Sequence, residues 1–547
     1  MRYTRVVGVA GGLVLVIVAV LGGIYAIWPR PRLNVLLVTF DTTRADHIGC
    51  YGHPGAKTPA LDGLADRGVL FEKAYTPIPL TMPSHATMFT GLYPPEHGLG
   101  RLEASIPTLA EILRKDGYAT GAFVASSVLA SKYGLNRGFQ VYDEDLGHQA
   151  AAADEDHGQR AGNFVVDAAL AWLQRQRSKR HFCWVHLFDP HAPYLAHEDL
   201  FGDEFKDRPY DGDIAFADQQ LARLLDFLKR EGLEGQTLVV VVGDHGEGFS
   251  EHGESTHGQM VYNPTLHVPL VVATPHSPAR RHHVPGAVPL VDLLPTILEC
   301  VHLPSPTEIS GRSLRQALWG QPLEPRRCFA LSDAPYLLHG WAPLRALITD
   351  EFKYIRTTRN ELYNLTTDPG ETRNLVRDLP DQARDMDALL AEMEAKMVTH
   401  QASAVALSPA EQRTLKSLGY AAGSSRPDRP KPQQTLHDIK DMIGPAEAAT
   451  AAENMVKRGA VDEGLAKLRA VIKAAPDFVA PRISLAEFLL LQQKRDEAIA
   501  VLKEVLKIAP QSNVALFHLA KATFAAGKID EAISLYQQAV EIDPSFE

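Results

Sequence analysis

Five apolar runs of strand length limit what this chain can fold into: LNVLLVTF from Leu33, YATGAFVAS from Tyr118, HFCWVHLF from His181, TLVVVVG from Thr237 and HVPLVVATP from His267. Near-continuous apolar runs belong in strands buried on both faces, and helix patterns lie between these ones. SIPTLAEILRKDG is an example, with Pro107 near its start and Gly117 just past its end. The rhythm predicts an α/β domain built on a largely parallel sheet with helices on both sides. Ligands of open α/β sheets bind beyond the carboxyl ends of the strands, where loops and helix N-termini converge. Three runs end there in acid-base or metal-type residues: Asp41, then Asp189-Pro190-His191, then Asp244-His245.

PLTMPSHATMFTG, Pro79 to Gly91, supplies a hydroxyl for the same region. Pro83 suits a first helical turn and Gly91 its stop, so Thr81 is expected just ahead of a short helix whose free N–H groups favour an anion. On this stretch alone, an N-cap hydroxyl and a nucleophile are equally good readings of Thr81.

These stretches together resemble the sulfatase branch of the alkaline phosphatase superfamily. The resemblance rests on NVLLVTFDTTRADHIGCYG, TMPSHATMFTGLYPPEHG, FDPHAPY, GDHGEGFSEHG, HGQMVYN and ELYNLTTDPGETRNL, in that order. It implies that Asp41, Thr81, Asp244 and His245 are metal ligands and that Thr81 is the nucleophile. It also places His191 on a substrate-contacting histidine, His85 where sulfatases carry Arg, and His257 where they usually carry Lys. Sulfatases use a formylglycine made from Cys or Ser at the nucleophile position, and threonine has only one hydroxyl. One imidazole plus carboxylates suits zinc or manganese better than calcium.

The expected reaction is in-line attack by Thr81, with His191 as the proton donor to the leaving alcohol, His257 second in line, and His85 on non-bridging oxygens. Histidines in place of fixed cations favour a monoanionic ester such as a phosphodiester over a phosphomonoester dianion, and the single hydroxyl of threonine favours phosphorus over sulfur, so a phosphodiester is expected ahead of a sulfuric ester. The alternatives are a sulfatase using unmodified threonine and a degenerate enzyme serving as a scaffold. A second metal would draw on Asp189, His191 and His252 or His257, while His97, His252 and His267 taken singly read as loop or packing residues.

The C-terminal part has a period of 34 residues: Asp462-Glu463, Asp496-Glu497 and Asp530-Glu531 fall in register, as do Pro476, Pro510 and Pro544. It resembles tetratricopeptide repeats, which implies stacked helix pairs and a groove for a protein partner. At the other end, Val6 to Trp28 is an uncharged run long enough to span a bilayer, and the sulfatase resemblance implies a catalytic domain on the periplasmic or extracellular side. The expected division is an anchor over 1–32, the catalytic domain over 33–398, an extension and linker over 399–444, and three repeats over 445–547. The Ser-, Pro- and Arg-rich stretch Ala421 to Gln434 is expected to be a tether. A formal net charge of -11 gives no reason to expect nucleic acid, and four scattered cysteines do not make a zinc knuckle or a disulfide scaffold.

Overall fold

The computed structural model describes residues 32–146, 159–275, 277–278, 281–398 and 436–542. The apolar run Val6 to Trp28 and the tract Ala421 to Gln434 lie outside them. No helix among the described residues is long and apolar enough to cross a membrane.

The main sheet is built from β1 (Asn34–Phe40), β2 (Val69–Tyr75), β3 (Ala119–Phe123), β4 (Val141–Asp143), β5 (His181–Leu187), β6 (Thr237–Gly243), β7 (His267–Val268), β8 (Leu270–Ala273) and β9 (His282–Pro289). Its order is β4-β3-β5-β1-β6-β8-β2-β7, with β9 on β2. The five strands from β4 to β6 pair in parallel. Side chains alternate between faces along a strand, and both faces are apolar here. Val35, Leu37, Phe182, Trp184, Val240 and Val242 enter one core, whereas Leu36, Val38, Phe40, Cys183, Val185 and Val241 enter the other. The helix Thr81–Thr90 covers the first layer, and Gly162–Gln176 and Pro209–Arg230 cover the second.

Two features depart from the expected sheet. The run from His267 is broken at Pro269 into β7 and β8, and β8 lies antiparallel to β6. A second, antiparallel sheet of β10 (Cys328–Ser332), β11 (Leu344–Ile348), β12 (Phe352–Arg356) and β13 (Glu361–Asn364) follows, covered by Ala383, Met386 and Leu390 of the helix Pro380–Lys396. Its strands are short and carry Arg345, Lys353 and Glu361, which hid them from a search for apolar runs.

The repeats form three helix pairs, the first being Ile439–Lys457 with Val461–Ala474 and the last Asn513–Ala525 with Ile529–Ile542. The first helix starts ahead of the expected boundary and runs through Pro445. Asp438 caps it by accepting from the Lys440 N–H, and Ile439, Met442 and Ile443 are buried in one apolar cluster with Tyr75, Met260, Tyr262 and Tyr363 of the catalytic domain. Packing of this apolar face outweighs the hydrogen bond lost at Pro445. The repeats are therefore docked on the catalytic domain.

Candidate active site

The parallel register aligns β5, β1 and β6 so that Phe40 lies between Leu187 and Gly243. Adjacent strands are about 4.8 Å apart, so the next residues along, Asp41 and Asp244, arrive side by side. The Asp41 N–H donates to the Leu187 carbonyl at 2.9 Å, and the Asp244 N–H to the Phe40 carbonyl at 3.1 Å. Thr42 follows with a positive φ of 45°, unusual for a β-branched residue. Its N–H donates to Asp244 Oδ1 at 3.2 Å, its hydroxyl to the Pro190 carbonyl at 2.8 Å, and its carbonyl accepts from the Tyr210 hydroxyl at 2.6 Å.

The helix Thr81–Thr90 places Thr81 in its first turn rather than ahead of it, and ends at Gly91, whose φ of 69° is the left-handed stop the sequence called for. Ser84, one turn on, donates to the Asp244 carbonyl at 2.7 Å and so ties the helix to the end of β6. Thr81 Oγ1 then lies 3.2 Å from His245 Nε2. His245 donates from Nδ1 to the Gly246 carbonyl at 3.0 Å, which leaves its Nε2 lone pair facing the site. That nitrogen is 3.9 Å from Asp41 Oδ1 and 3.7 Å from Asp244 Oδ2.

Those two carboxylate oxygens are buried and have no hydrogen-bond partner. Burial raises Asp41 to about 8, against the lowering influence of the His257 charge and the Thr81 hydroxyl, and it raises Asp244 well above the carboxylate range, with Asp41 adding to the rise. Two buried carboxylates facing each other without compensation are costly. A divalent cation among Asp41, Asp244 and His245, whose donor atoms lie within 4.8 Å of one another, would satisfy both orphaned oxygens. The residues present therefore fit such an ion.

Around this centre stand groups that the sequence reading missed. His186 accepts the Ala125 N–H at Nδ1 (3.4 Å) and donates from Nε2 to Asp41 Oδ2 at 3.1 Å, and burial lowers it to about 3. It thus orients Asp41, as outer residues orient metal ligands. Its only sequence signal was its place one residue from the end of a strand. Glu247 contacts His257 Nδ1 at 3.0 Å and accepts from the Tyr194 hydroxyl at 2.8 Å. Burial alone would lower His257, but Glu247, together with the charges of Asp41 and Glu254, raises the imidazole to about 9. The His257 ring lies 4.5 Å from that of His245 and 5.2 Å from that of His191.

Known families match these elements in order. The sulfatase family profile matches residues 33–303, the C-terminal profile of N-sulphoglucosamine sulphohydrolase matches 250–403, and two tetratricopeptide repeat profiles match 455–522 and 514–546. The chain carries a sulfatase-family domain followed by tetratricopeptide repeats. Among similar proteins, the uncharacterized sulfatase YidJ of Escherichia coli is 26% identical over 448 residues, which are 66% of this chain and 87% of that protein. Arylsulfatase K of Xenopus laevis is 24% identical over 444 residues, 66% of this chain and 82% of that one. In fold, the phosphonate monoester hydrolase of Agrobacterium radiobacter superposes with a TM-score of 0.57 at 22% identity, covering 67% of this chain and 96% of that one.

Within the sulfatase-family domain, one expected residue is placed differently from its predicted role. His85 is fully buried, with Nδ1 donating to the Thr81 carbonyl at 2.8 Å and Nε2 against the Thr39 hydroxyl at 3.0 Å. Both nitrogens are engaged by the protein, so His85 braces the Thr81 turn instead of reaching substrate oxygens. A second metal set is not assembled either. Among the described residues, the convergent groups of metal-type donors do not include Asp189, His191, His252 or His257. Asp189 accepts from the Gly162 N–H at 2.8 Å, and His252 stacks on Tyr262 at 3.8 Å. A cavity of about 750 Å³ near Tyr93, Asp292, Arg326 and Phe352 is lined by none of the candidate residues.

Proposed function

We propose that this protein is a divalent-metal-dependent hydrolase of sulfate- or phosphate-type esters that uses Thr81 as its nucleophile. The observation that carries this reading is Thr81 Oγ1 at 3.2 Å from His245 Nε2, beside the orphaned oxygens of Asp41 and Asp244. Asp41, Asp244, His245 and the Thr81 oxygen would hold a divalent ion, which would supply positive charge that eases loss of the Thr81 proton and polarises the ester's central atom. Thr81 attacks that atom in line as the bond to the leaving alcohol breaks. His257, backed by Glu247, hands the alcohol its proton, and His191, whose ring lies 5.2 Å from that of His257, contacts the ester oxygens. This exchanges the roles expected from sequence, because a carboxylate partner suits an imidazole to hold a proton. Water, giving a proton to the now neutral His257, then attacks the same central atom as its bond to the Thr81 oxygen breaks.

Curated relatives such as YidJ and arylsulfatase K are sulfatases by name. That weight favours a sulfuric ester over the phosphodiester expected from the residue types. Thr81 itself favours the second reading: without a second hydroxyl to expel the group, resolution requires water to attack the central atom, which is ordinary chemistry at phosphorus. The zinc- or manganese-loaded protein, assayed on paired aryl sulfate, aryl phosphate and bis-aryl phosphate substrates, distinguishes the two. Turnover that survives Thr81→Ala overturns the nucleophile assignment. A mass increment trapped on Thr81 identifies the transferred group.

The uncharged run Val6 to Trp28 supports membrane attachment, and the sulfatase resemblance supports a catalytic domain outside the cytoplasm. The repeat pairs support a protein partner. Membrane fractionation with protease accessibility tests the first, and a mature N-terminus beyond Trp28 overturns it.

A further inference from the structure

The loop Ser250–Gly258, whose far end carries His257, is gripped from two sides. On the catalytic side, Arg44 pairs with Glu251, and the Gly248 N–H donates to the Thr256 carbonyl at 2.7 Å. On the other side stands the first repeat helix. Residues Lys440, Ile443 and Glu447 are spaced by three and four, and so share one helix face.

Each of the three addresses the loop or its support. Lys440 pairs with Glu361, which accepts from the Tyr262 hydroxyl at 2.7 Å, and the Tyr262 ring carries His252 stacked at 3.8 Å. Ile443 lies against Gly253 so closely that a Cβ added there would come within 3.0 Å of Ile443 Cγ2. Glu447 takes both donors of Ser255, its N–H at 3.2 Å and its hydroxyl. Ser255 is two residues from His257.

We propose that this helix face completes the active site from the repeat domain, and that Glu447 is a positioning residue that holds the Ser250–Gly258 loop so that His257 meets the leaving group. The proposal rests on the reading of His257 given above. A grip on backbone and hydroxyl of the same serine fixes the loop's height over the site, and catalysis depends steeply on such placement.

The test uses the full chain loaded with zinc or manganese and the aryl ester that the wild type turns over. Glu447→Ala is expected to lower kcat about three- to tenfold with KM within about twofold, and to speed amide exchange across 250–258. Metal affinity and thermal midpoint are expected to stay unchanged, because Lys440 and the apolar face keep the helix docked. Glu447→Gln keeps an oxygen acceptor for Ser255 and is expected to restore kcat, which a merely structural defect would not allow. Unchanged kcat and unchanged exchange in Glu447→Ala overturn the proposal, as does equal loss in Glu447→Gln. His257→Ala separates the two readings. Unimpaired turnover in that variant refutes the role given to His257, and the exchange data then decide alone whether Glu447 holds the loop.

Discussion

Asp244→Asn places a neutral amide where the structure has a buried carboxyl group with an orphaned oxygen, and its effect on stability reverses with metal. Asp244 Oδ1 already accepts from the Thr42 and His245 N–H groups at 3.2 and 2.7 Å, and an amide oxygen keeps both bonds. The new NH2 group then occupies the Oδ2 position, which has no hydrogen-bond partner and faces His245 and the Asp41 side of the site. Removing one of two facing buried carboxyl groups is expected to stabilise the chelator-treated protein by about 1–2 kcal/mol. For a domain this large that is a rise of roughly 1–3 °C in thermal midpoint. With metal the order inverts. At 100-fold excess over its dissociation constant, zinc or manganese stabilises the wild type by about 2.7 kcal/mol. A variant whose affinity has fallen about 100-fold gains only about 0.4 kcal/mol at the same concentration. Differential scanning fluorimetry with and without metal measures both arms. A variant that is less stable than wild type after chelation, or that keeps the full metal-induced shift, refutes the reasoning that Asp41 and Asp244 form a cation cage.

Three further outcomes follow from the same geometry. Thr81→Ala is expected to lower kcat by at least about a thousandfold while metal binding persists on Asp41, Asp244 and His245, which calorimetry with zinc reads directly. His186→Ala removes the donor to Asp41 Oδ2 and is expected to weaken metal affinity about 10- to 100-fold without touching the ion. Lys353→Met strands Glu371, its buried partner at 2.8 Å, and is expected to cost about 3–5 kcal/mol in urea denaturation, with Glu371→Gln in the same chain restoring part of it.

The strands that carry the site were legible because they are apolar on both faces, and Asp41, Asp244 and His245 because they sit where such strands end. The place of Thr81 near a helix start was legible through the turn chemistry around Pro83 and Gly91, whereas its reading as a nucleophile came from the family resemblance. Other groups were hidden because their meaning is set by partners far away in sequence. His186 is one apolar-strand residue among several until the β1–β5 register brings it to Asp41, and Glu247 is a charge in a glycine-rich loop until His257 folds back onto it. The second sheet failed to show because its strands are short and studded with Arg345, Lys353 and Glu361. The docking of the repeats was obscured by Pro445, which reads locally as a boundary. The burial of Met442 and Ile443 on the catalytic domain overrides it.

Thr42 has a consequence for how the protein chooses its ion. A β-branched residue held in the left-handed region stores about 1–3 kcal/mol, and here three hydrogen bonds to separate parts of the domain keep it there. A hinge at this point would let the ligands close around cations of many radii. A turn locked in one shape works as a gauge, so ions that differ in size are expected to be sorted by how well they fill a span fixed by the backbone.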